Sequence, residues 1–273
     1  MIGELAARLA PRLLWHRRAR TWHIDTGEPE AVLLPYLANR RQLSIDVGAA
    51  VGSYTALFVP LSRRVIAFEP VPQFAAALRK MFAGTLIVRI EQVALSDQSG
   101  SRSMQVPRDC FWRSTIESNN RLPFSTDLEL IPVTTRSLDE YEFHDVGLIK
   151  IDVEGHELAV LRGAADTIHR ERPNVLVEVV EQLCSGTLAG TFGFFAAAGY
   201  RGYFLFDGKL ESLPSFDRTV HQDVGNLDAR GGRTDRYVSN FVFVPAEHPV
   251  RTRLERLRGR AANVSARPAA GSS

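Results

Sequence analysis

The chain contains few cysteines and no long apolar run. Only Cys110 and Cys184 occur among its 273 residues, so a disulfide framework is excluded and a reducing cytoplasm is the expected location. No uncharged apolar stretch reaches about eighteen residues, so the sequence predicts no membrane-spanning helix. A secretory signal peptide is not expected either, because five arginines interrupt the apolar residues near the N-terminus: Arg8, Arg12, Arg17, Arg18 and Arg20.

The formal net charge of +2 is unevenly distributed. Residues 1–22 carry five arginines and one glutamate (+4), and residues 251–273 carry six arginines and one glutamate (+5). Subtraction leaves −7 for residues 23–250, which show no basic stripe, so no nucleic-acid partner is expected. We therefore expect a basic N-terminal helix over 1–22, a globular domain over 23–250, and a basic, flexible tail over 251–273 that begins with a short helix. The first helix is expected to pack on the domain, and peripheral contact with a membrane is the alternative.

From residue 43 onward, short apolar segments alternate with helical patterns, which is typical of a doubly wound α/β fold with a mostly parallel sheet. Two late apolar segments, 203–206 and 241–244, with Gly208 in a turn between them, predict that the sheet finishes with a late antiparallel strand. This outline is typical of a Rossmann-like, class I methyltransferase fold rather than of a dehydrogenase. The predicted strands are 43–47, 65–68, one within 86–95, 146–153 and 175–180, and the predicted helices are 52–61, 73–82, 157–170 and 192–198.

A long excursion, residues 98–136, interrupts this alternation. Residues 104–106 and 131–134 are predicted strands on either side of a polar loop. Long segments between core strands are often functional. Within the loop, Trp112 and Ser114 are candidate substrate contacts, because a tryptophan beside polar groups suits stacking on a sugar ring. A hydrophobic contact that anchors the loop is the alternative role for Trp112.

The stretch from Asp46 to Gly52 directly follows the apolar run Leu43 to Ile45, and its small residues permit a close approach of the backbone to a ligand. Gly48 and Gly52 are the candidate cofactor contacts in this turn, together with Asp46 at the end of the strand. Glu69 ends the next strand about twenty residues on, where nucleotide-binding folds place the carboxylate that binds ribose hydroxyls. Together these residues indicate a cofactor that carries a nucleoside.

The turn differs from the G-x-G-x-x-G fingerprint of dinucleotide sites, in which glycines let a pyrophosphate approach a helix N-terminus. Here an acid stands at the strand end, and its carboxylate would repel a pyrophosphate. Asp46 would instead accept a hydrogen bond from an ammonium group, directly or through water. The residues therefore favour S-adenosylmethionine, and an NAD(P)-dependent oxidoreductase on a related sheet is the alternative.

Two further strand ends carry candidate residues. Ala94 and Asp97 lie at the end of the third predicted strand, beside the expected adenine, whose amine could donate to Asp97. A turn-forming role for Asp97 is equally open. Asp152, Glu154 and His156 crowd the carboxyl end of a buried strand, which faces the ligand crevice in doubly wound folds. Asp152 is a candidate both for cofactor binding and for catalysis.

Several blocks of the sequence, within about residues 43–182, resemble the FkbM-type S-adenosylmethionine-dependent methyltransferases. The resemblance implies that residues 23–250 form a methyltransferase domain. It also implies that the acceptor is a hydroxyl of a small molecule, such as a sugar, a glycolipid precursor or another natural product. The blocks are Asp46-Val47-Gly48, Phe68-Glu69-Pro70, Ala94-Leu95-Ser96-Asp97, Leu138-Asp139, Ile149-Lys150-Ile151-Asp152-Val153-Glu154-Gly155-His156-Glu157 and, more loosely, Ser239-Asn240-Phe241.

A base that removes the hydroxyl proton contributes about 10²–10⁴-fold to such a reaction. His156 is the preferred base, because histidine titrates near neutral pH, and Asp152 or Glu154 are the alternatives. A Mg²⁺ ion held by Asp152 and Glu154 ranks below these, because two carboxylates on an ending strand need not converge, so no metal site is predicted. A non-catalytic module that keeps the cofactor pocket and binds partners through its basic ends is a further alternative.

Overall fold

The computed structural model describes residues 28–108, 113–118, 120, 127–227 and 236–257. The predicted basic helix (1–22) and Trp112 lie outside the described residues. Within them, no helix is both long enough and apolar enough to cross a bilayer. The predicted boundary at residue 251 lies inside a helix, Pro249–Leu257, whose Leu254 is buried in the core.

Two sheets organise the part of the chain that the structure describes. Their strands are β1 (Leu43–Val47), β2 (Arg64–Phe68), β3 (Val88–Glu91), β4 (Ala94–Leu95), β5 (Gly100–Pro107), β6 (Leu128–Arg136), β7 (Val146–Ile151), β8 (Asn174–Glu178), β9 (Tyr200–Phe206), β10 (Lys209–Ser212) and β11 (Asn240–Pro245).

The larger sheet has eight strands in the order β10-β9-β11-β8-β7-β1-β2-β3. From β8 to β3 every neighbouring pair is parallel, whereas β11 runs antiparallel to both β8 and β9. All residues of β1, β7 and β8 are buried, as expected for parallel strands covered on both faces. The predicted α/β fold, with a mostly parallel sheet and a late antiparallel strand, is confirmed.

The late strands are connected differently from the prediction. Gly208 does lie in a turn with a φ of 69°, but this turn joins β9 to β10, a strand absent from the prediction. β11 then inserts between β9 and β8. The omission has a simple cause, because β10 is short and mostly polar and therefore gives little strand signal.

The excursion forms most of the smaller sheet. β5 and β6 pair antiparallel along their length, which confirms the strands predicted at 104–106 and 131–134, and β4 pairs parallel with β6. The segment 86–95 contains the third strand, as predicted, together with a second, short one. It divides into β3, which belongs to the larger sheet, and β4, which belongs to the smaller one. The chain therefore passes from one sheet to the other just before Ala94.

Eight α-helices occur in the described residues: α1 (Leu34–Leu37), α2 (Ser53–Phe58), α3 (Pro72–Met81), α4 (Glu157–Arg162), α5 (Ala165–Glu171), α6 (Thr187–Ala197), α7 (Arg218–His221) and α8 (Pro249–Leu257). The single helix predicted over 157–170 was wrong, because the chain divides into α4 and α5 at Gly163. At this point the backbone passes so close to another segment that a Cβ on Gly163 would lie 2.0 Å from the carbonyl oxygen of Ser96.

Apolar side chains cover both faces of the larger sheet. Consecutive residues of a strand point to opposite faces, so Ile149 joins the cluster on one face and Leu148 the cluster on the other. Phe195 of α6 stacks on Phe243 of β11 with ring centres 3.9 Å apart in the first cluster. This double covering fixes the carboxyl ends of β1, β2 and β7 along one edge.

Glu157 begins α4 from a buried position, with 1% of its surface exposed. Its Oε1 accepts a hydrogen bond from the Gly155 N–H (2.8 Å), and its Oε2 accepts one from the Thr187 hydroxyl (3.5 Å). Burial raises the pKa of Glu157 to about 7. The folded protein therefore keeps a proton on this carboxyl at a pH where the unfolded chain has lost it.

The Gly163 contact predicts opposite effects for two glycine substitutions. Gly163→Ala should lower the free energy of unfolding by about 1–3 kcal/mol, because the methyl group overlaps backbone that cannot move aside. Gly193→Ala, in α6 with open space around the added Cβ, should raise it by about 0.5–1 kcal/mol. Chemical denaturation of both variants measures these changes, and equal effects would contradict the assigned contact.

The buried Glu157 carboxyl predicts a loss of stability as the pH rises. Its proton leaves near pH 4.5 in the unfolded chain and near 7 in the fold, so ionisation destabilises the native state progressively between these values. Glu157→Gln should therefore gain stability relative to the wild type from pH 5 to pH 8, by up to about 3 kcal/mol. Chemical denaturation of both proteins at several pH values in this range measures the difference in their free energies of unfolding. The exposed control Glu142→Gln should follow the wild-type profile.

Candidate functional site

A cleft that is partly open to solvent lies at the carboxyl ends of β1, β2 and β7. Three residues predicted to bind the cofactor do not line this cleft: Asp46, Gly52 and Asp97. Trp112 lies outside the described residues. The cleft brings together the other residues predicted from the sequence: Gly48, Glu69, Ala94, Ser114, Asp152, Glu154 and His156.

Gly48 makes a very close backbone contact at this edge of the sheet. Its φ of 80° lies in the left-handed region, and a Cβ there would lie 1.8 Å from the carbonyl oxygen of Asp152. The Asp152 N–H donates to the carbonyl oxygen of Val47 (3.0 Å). The N–H groups of Gly48 and Ala49 both donate to the carbonyl oxygen of Phe68 (3.0 Å each). The turn after β1 is thereby fixed to the ends of β2 and β7, and any side chain at position 48 would break the contact.

Glu69 combines a supporting role in the turn with a place in the cleft wall. Its Oε2 accepts a hydrogen bond from the Ala50 N–H (2.7 Å), and its Oε1 accepts one from the Val71 N–H (2.8 Å). The residue is 4% exposed, and burial raises the pKa of Glu69 to about 7. Each carboxylate oxygen can accept a second hydrogen bond, so the group remains able to bind a vicinal diol at the cleft surface.

Asp46 and Gly52 lie behind the turn rather than in the cleft wall. Asp46 is 2% exposed, and its Oδ2 accepts a hydrogen bond from the Thr55 hydroxyl. Burial raises the pKa of Asp46 to about 6. Gly52, with a φ of 84°, lets α2 approach α3, because a Cβ there would lie 2.6 Å from Leu78 Cδ2. Both residues shape the turn, and their direct contact with a ligand stays a prediction.

The smaller sheet contributes an apolar part of the wall. Ala94 of β4 and Met104 of β5 share an apolar cluster with Val71 and Phe74 at the start of α3, and Leu95 also lines the cleft. A flat, apolar slot of this kind suits an aromatic base, which buries its faces against hydrocarbon.

Asp97 lies outside that slot. It is exposed, and its Oδ1 accepts a hydrogen bond from the Ser96 hydroxyl (3.2 Å). The predicted bond between Asp97 and an adenine amine stays a prediction.

Lys150 is fully buried beneath the polar end of the cleft. Its Nζ donates to Asn240 Oδ1 (3.2 Å), lies 3.5 Å from Asp152 Oδ2, and stands 5.0 Å from the centre of the Tyr54 ring. Burial by itself lowers the pKa of Lys150, but the carboxylates of Asp152 and Glu178 raise it above its usual value. A positive charge is therefore fixed directly behind the Asp152 carboxylate.

Glu178, at the end of β8, joins Asp152 and Glu154 in a cluster of three carboxylates. One oxygen from each lies within 4.8 Å of the others, so Asp152 and Glu154 do converge, which the sequence left open. The chain turns sharply after β7, because Glu154 and Gly155 have positive φ values of 50° and 99°. Carboxylate oxygens are ligands that Mg²⁺ accepts, so these residues could hold a divalent cation. Lys150 already balances part of their charge.

Both ring nitrogens of His156 contact neighbouring side chains. His156 is 4% exposed and directly precedes α4. Its Nδ1 pairs with the Glu117 carboxylate, and its Nε2 lies 2.9 Å from the Ser96 hydroxyl. The hydrogen bond to His156 holds the pKa of Glu117 below its usual range. To act as a base, His156 would have to exchange one of these partners for the substrate, and this role stays a prediction.

Three contributors were missing from the sequence prediction: Ser96, Glu117 and Glu178. Glu178 ends a buried strand just as Asp152 follows one, so the rule that selected Asp152 would have found it. Ser96 lies within one of the family blocks, but its residue type alone suggested no role. Glu117 gave no signal, because only the folding of the excursion brings it to His156.

Comparison with known families agrees with this geometry. The model of the methyltransferase FkbM domain matches residues 46–201, which is more than half of the chain. The residues that line the cleft, from Val47 to His156, fall inside this match. No curated protein matches the chain.

Solved structures give further likenesses. An FkbM methyltransferase from Methylobacillus flagellatus has a TM-score of 0.49 and 16% identity, covering 80% of this chain and 51% of its own. This chain therefore spans about half the length of that protein. Precorrin-6y C5,15-methyltransferase from Geobacter metallireducens has a TM-score of 0.42 and 14% identity, covering 79% of this chain and 87% of its own. A Streptococcus mutans protein solved in complex with SAH has a TM-score of 0.43 and 10% identity, covering 80% of this chain and 97% of its own.

The cleft fits the methyl donor that this family uses. Gly48 holds the turn after β1 against Asp152, Glu69 offers acceptors for hydroxyl groups, and the slot lined by Phe74 and Ala94 is apolar. Given the strand order with antiparallel β11 and the match over more than half of the chain, the protein belongs to the FkbM family of S-adenosylmethionine-dependent methyltransferases and has the class I methyltransferase fold.

Proposed function

We propose that this protein transfers a methyl group to a hydroxyl oxygen of a small molecule such as a sugar, a glycolipid precursor or another natural product. The observation that carries the proposal is the single cleft in which Gly48, Glu69 and Asp152 meet. When bound, S-adenosylmethionine supplies an electrophilic methyl group on a sulfonium sulfur. Glu69 and the glycine turn would hold the nucleoside part of this donor. Asp152 and Glu154, in the wall of the same cleft, would receive the hydroxyl proton.

Asp152 is the base that the geometry favours. Lys150 Nζ lies 3.5 Å from Asp152 Oδ2, and a neighbouring cation stabilises the ionised form of a carboxyl group. Asp152 is thus an acceptor able to orient a hydroxyl and to take its proton as the oxygen attacks. His156 is placed second, because Glu117 and Ser96 already contact its two nitrogens.

The charges around the cleft favour a neutral or cationic acceptor over an anionic one. Asp152, Glu154 and Glu178 place three carboxylates at the polar end, and Lys150 balances them only in part. A phosphate close to the methylated hydroxyl would be repelled there. Ser114, in the wall, and Trp112 are the further substrate contacts that we propose.

A non-catalytic module that binds partners through its basic ends is the second candidate. It is favoured by the positive charge of residues 1–22 and 251–273, which none of the family blocks contains. Deletion of residues 1–22 and 258–273, which keeps α8 whole, should leave methyl transfer intact if the protein is an enzyme. A cytoplasmic location and the lack of a nucleic-acid partner stay predictions.

Glu69→Ala should weaken the binding of S-adenosylmethionine and S-adenosylhomocysteine by about 10–100-fold, through the loss of charge-assisted hydrogen bonds to the ribose. Isothermal titration calorimetry measures both dissociation constants. Glu91→Ala is the matched control, because Glu91 ends the neighbouring strand β3 and pairs with Arg89. It should bind both ligands like the wild type. Absence of binding to the wild-type protein would reject the proposed function itself.

Asp152→Asn should lower kcat by about 10²–10⁴-fold, because asparagine keeps the shape of the side chain but cannot accept the proton. The dissociation constant for S-adenosylhomocysteine should change only a few-fold. An assay with labelled methyl donor and a panel of neutral and phosphorylated polyols measures turnover.

Two comparisons sharpen the Asp152→Asn measurement. A larger kcat loss in Glu154→Gln than in Asp152→Asn would move the base to Glu154. Loss of wild-type activity in EDTA, restored by Mg²⁺, would assign the carboxylate cluster to a metal instead. Unchanged turnover in both variants would remove the carboxylates from the chemistry.

A further inference from the structure

One wall of the cleft comes from a segment outside the main sheet. Residues 113–118, called here the wall segment, belong to the excursion, and their Ser114 and Ile116 line the cleft. Ile116 packs on the apolar cluster that contains Val71 of the α3 start and Met104 of β5. The wall segment therefore completes the apolar slot opposite α3.

Hydrogen bonds of Thr115 hold the wall segment in place on two sides. Thr115 and Gln105 of β5 exchange two backbone hydrogen bonds, from Gln105 N–H to Thr115 O (2.8 Å) and from Thr115 N–H to Gln105 O (3.0 Å). On the other side, the Thr115 hydroxyl donates to the carbonyl oxygen of Glu154 (2.8 Å). The Glu117 N–H in turn donates to this hydroxyl (3.1 Å).

A series of three side chains, Glu117, His156 and Ser96, attaches the wall segment at a third place, and the first of these contacts includes a carboxylate. The Glu117 carboxylate pairs with His156 Nδ1, and His156 Nε2 lies 2.9 Å from the hydroxyl of Ser96, a residue with no exposed surface. The Ser96 N–H donates to the carbonyl oxygen of Arg136 at the end of β6 (2.9 Å). Glu117 thus connects the wall segment to the start of α4 and to the edge of the smaller sheet.

We propose that Glu117 is a positioning residue for the cofactor: through His156 it holds the wall segment against the apolar slot and so sets the affinity for the nucleoside. This inference rests on the proposed function, because it assumes that the slot binds the adenosine part of the methyl donor. Hydrogen bonds that include an ionised partner are about twice as strong as neutral ones, so the carboxylate of Glu117 matters as well as its shape.

The test compares Glu117→Gln with the wild type by calorimetry and by steady-state kinetics. We expect the dissociation constants for S-adenosylhomocysteine and for adenosine to rise by about the same factor, roughly tenfold, since both ligands place a nucleoside in the slot. The KM for S-adenosylmethionine should rise in parallel, and kcat at saturating donor should fall by much less. A purely structural defect would instead lower the midpoint of thermal unfolding without this division between KM and kcat.

Control variants separate the attachment from other effects. Glu129→Gln alters an exposed glutamate of β6 in the same excursion and should leave all constants unchanged. In a double-mutant cycle with His156→Asn, the double variant should bind S-adenosylhomocysteine about as weakly as Glu117→Gln alone, because both substitutions remove the same contact between Glu117 and His156.

Different results overturn different statements. If the wild type binds S-adenosylhomocysteine and Glu117→Gln binds it equally well, the positioning role is wrong while the proposed function stands. If His156→Asn lowers only kcat, His156 acts as the base and the inference also fails. If the wild type binds neither ligand, the proposed function itself is wrong.

Discussion

The site depends on the contact between the backbone of Gly48 and that of Asp152. Two strand ends, β1 and β7, meet so closely that a Cβ on Gly48 would lie 1.8 Å from the Asp152 carbonyl oxygen. Because the Asp152 N–H also bonds to Val47, neither strand end can shift without the other. The turn that would bind the donor and the carboxylate proposed to act on the acceptor are consequently one rigid unit. Positioning of this kind is the main means by which a methyl transfer is accelerated.

A buried charge adds a second constraint on the same edge. Register places Asp46 of β1 beside Lys150 of β7, so their side chains leave the sheet on the same face. Asn240 of β11 and Glu178 of β8 surround the ammonium group from the other side. A buried cation is tolerated only with such partners, and removal of one would leave an uncompensated charge at a cost of several kcal/mol. The antiparallel strand therefore contributes to the site as well as to the sheet, because it supplies Asn240.

Features at the strand ends were predictable from the sequence, whereas features that depend on the path of the chain were not. Leu43–Val47 and the acids after two buried strands were identified, because apolar runs and the polar residues that end them are local signals. The division of residues 86–95 between two sheets has no local signal, and neither does the break at Gly163, which is imposed by the Ser96 backbone. The preference for His156 as a base was reasonable from its position, but a sequence cannot show that Glu117 and Ser96 contact its nitrogens.

The two sides of the cleft have different origins, and this difference bears on how the protein distinguishes its ligands. Gly48, Glu69 and Asp152 stand where a sheet of this topology ends its strands, and they are the residues proposed to hold the donor. Met104 and Ile116 come from the excursion, whose sheet is joined to α3 through a separate apolar cluster. A change inside the excursion can therefore alter the enclosure of a ligand while every family block stays intact. The motifs accordingly identify the family, whereas Met104 and Ile116 complete the wall of the cleft from outside every motif.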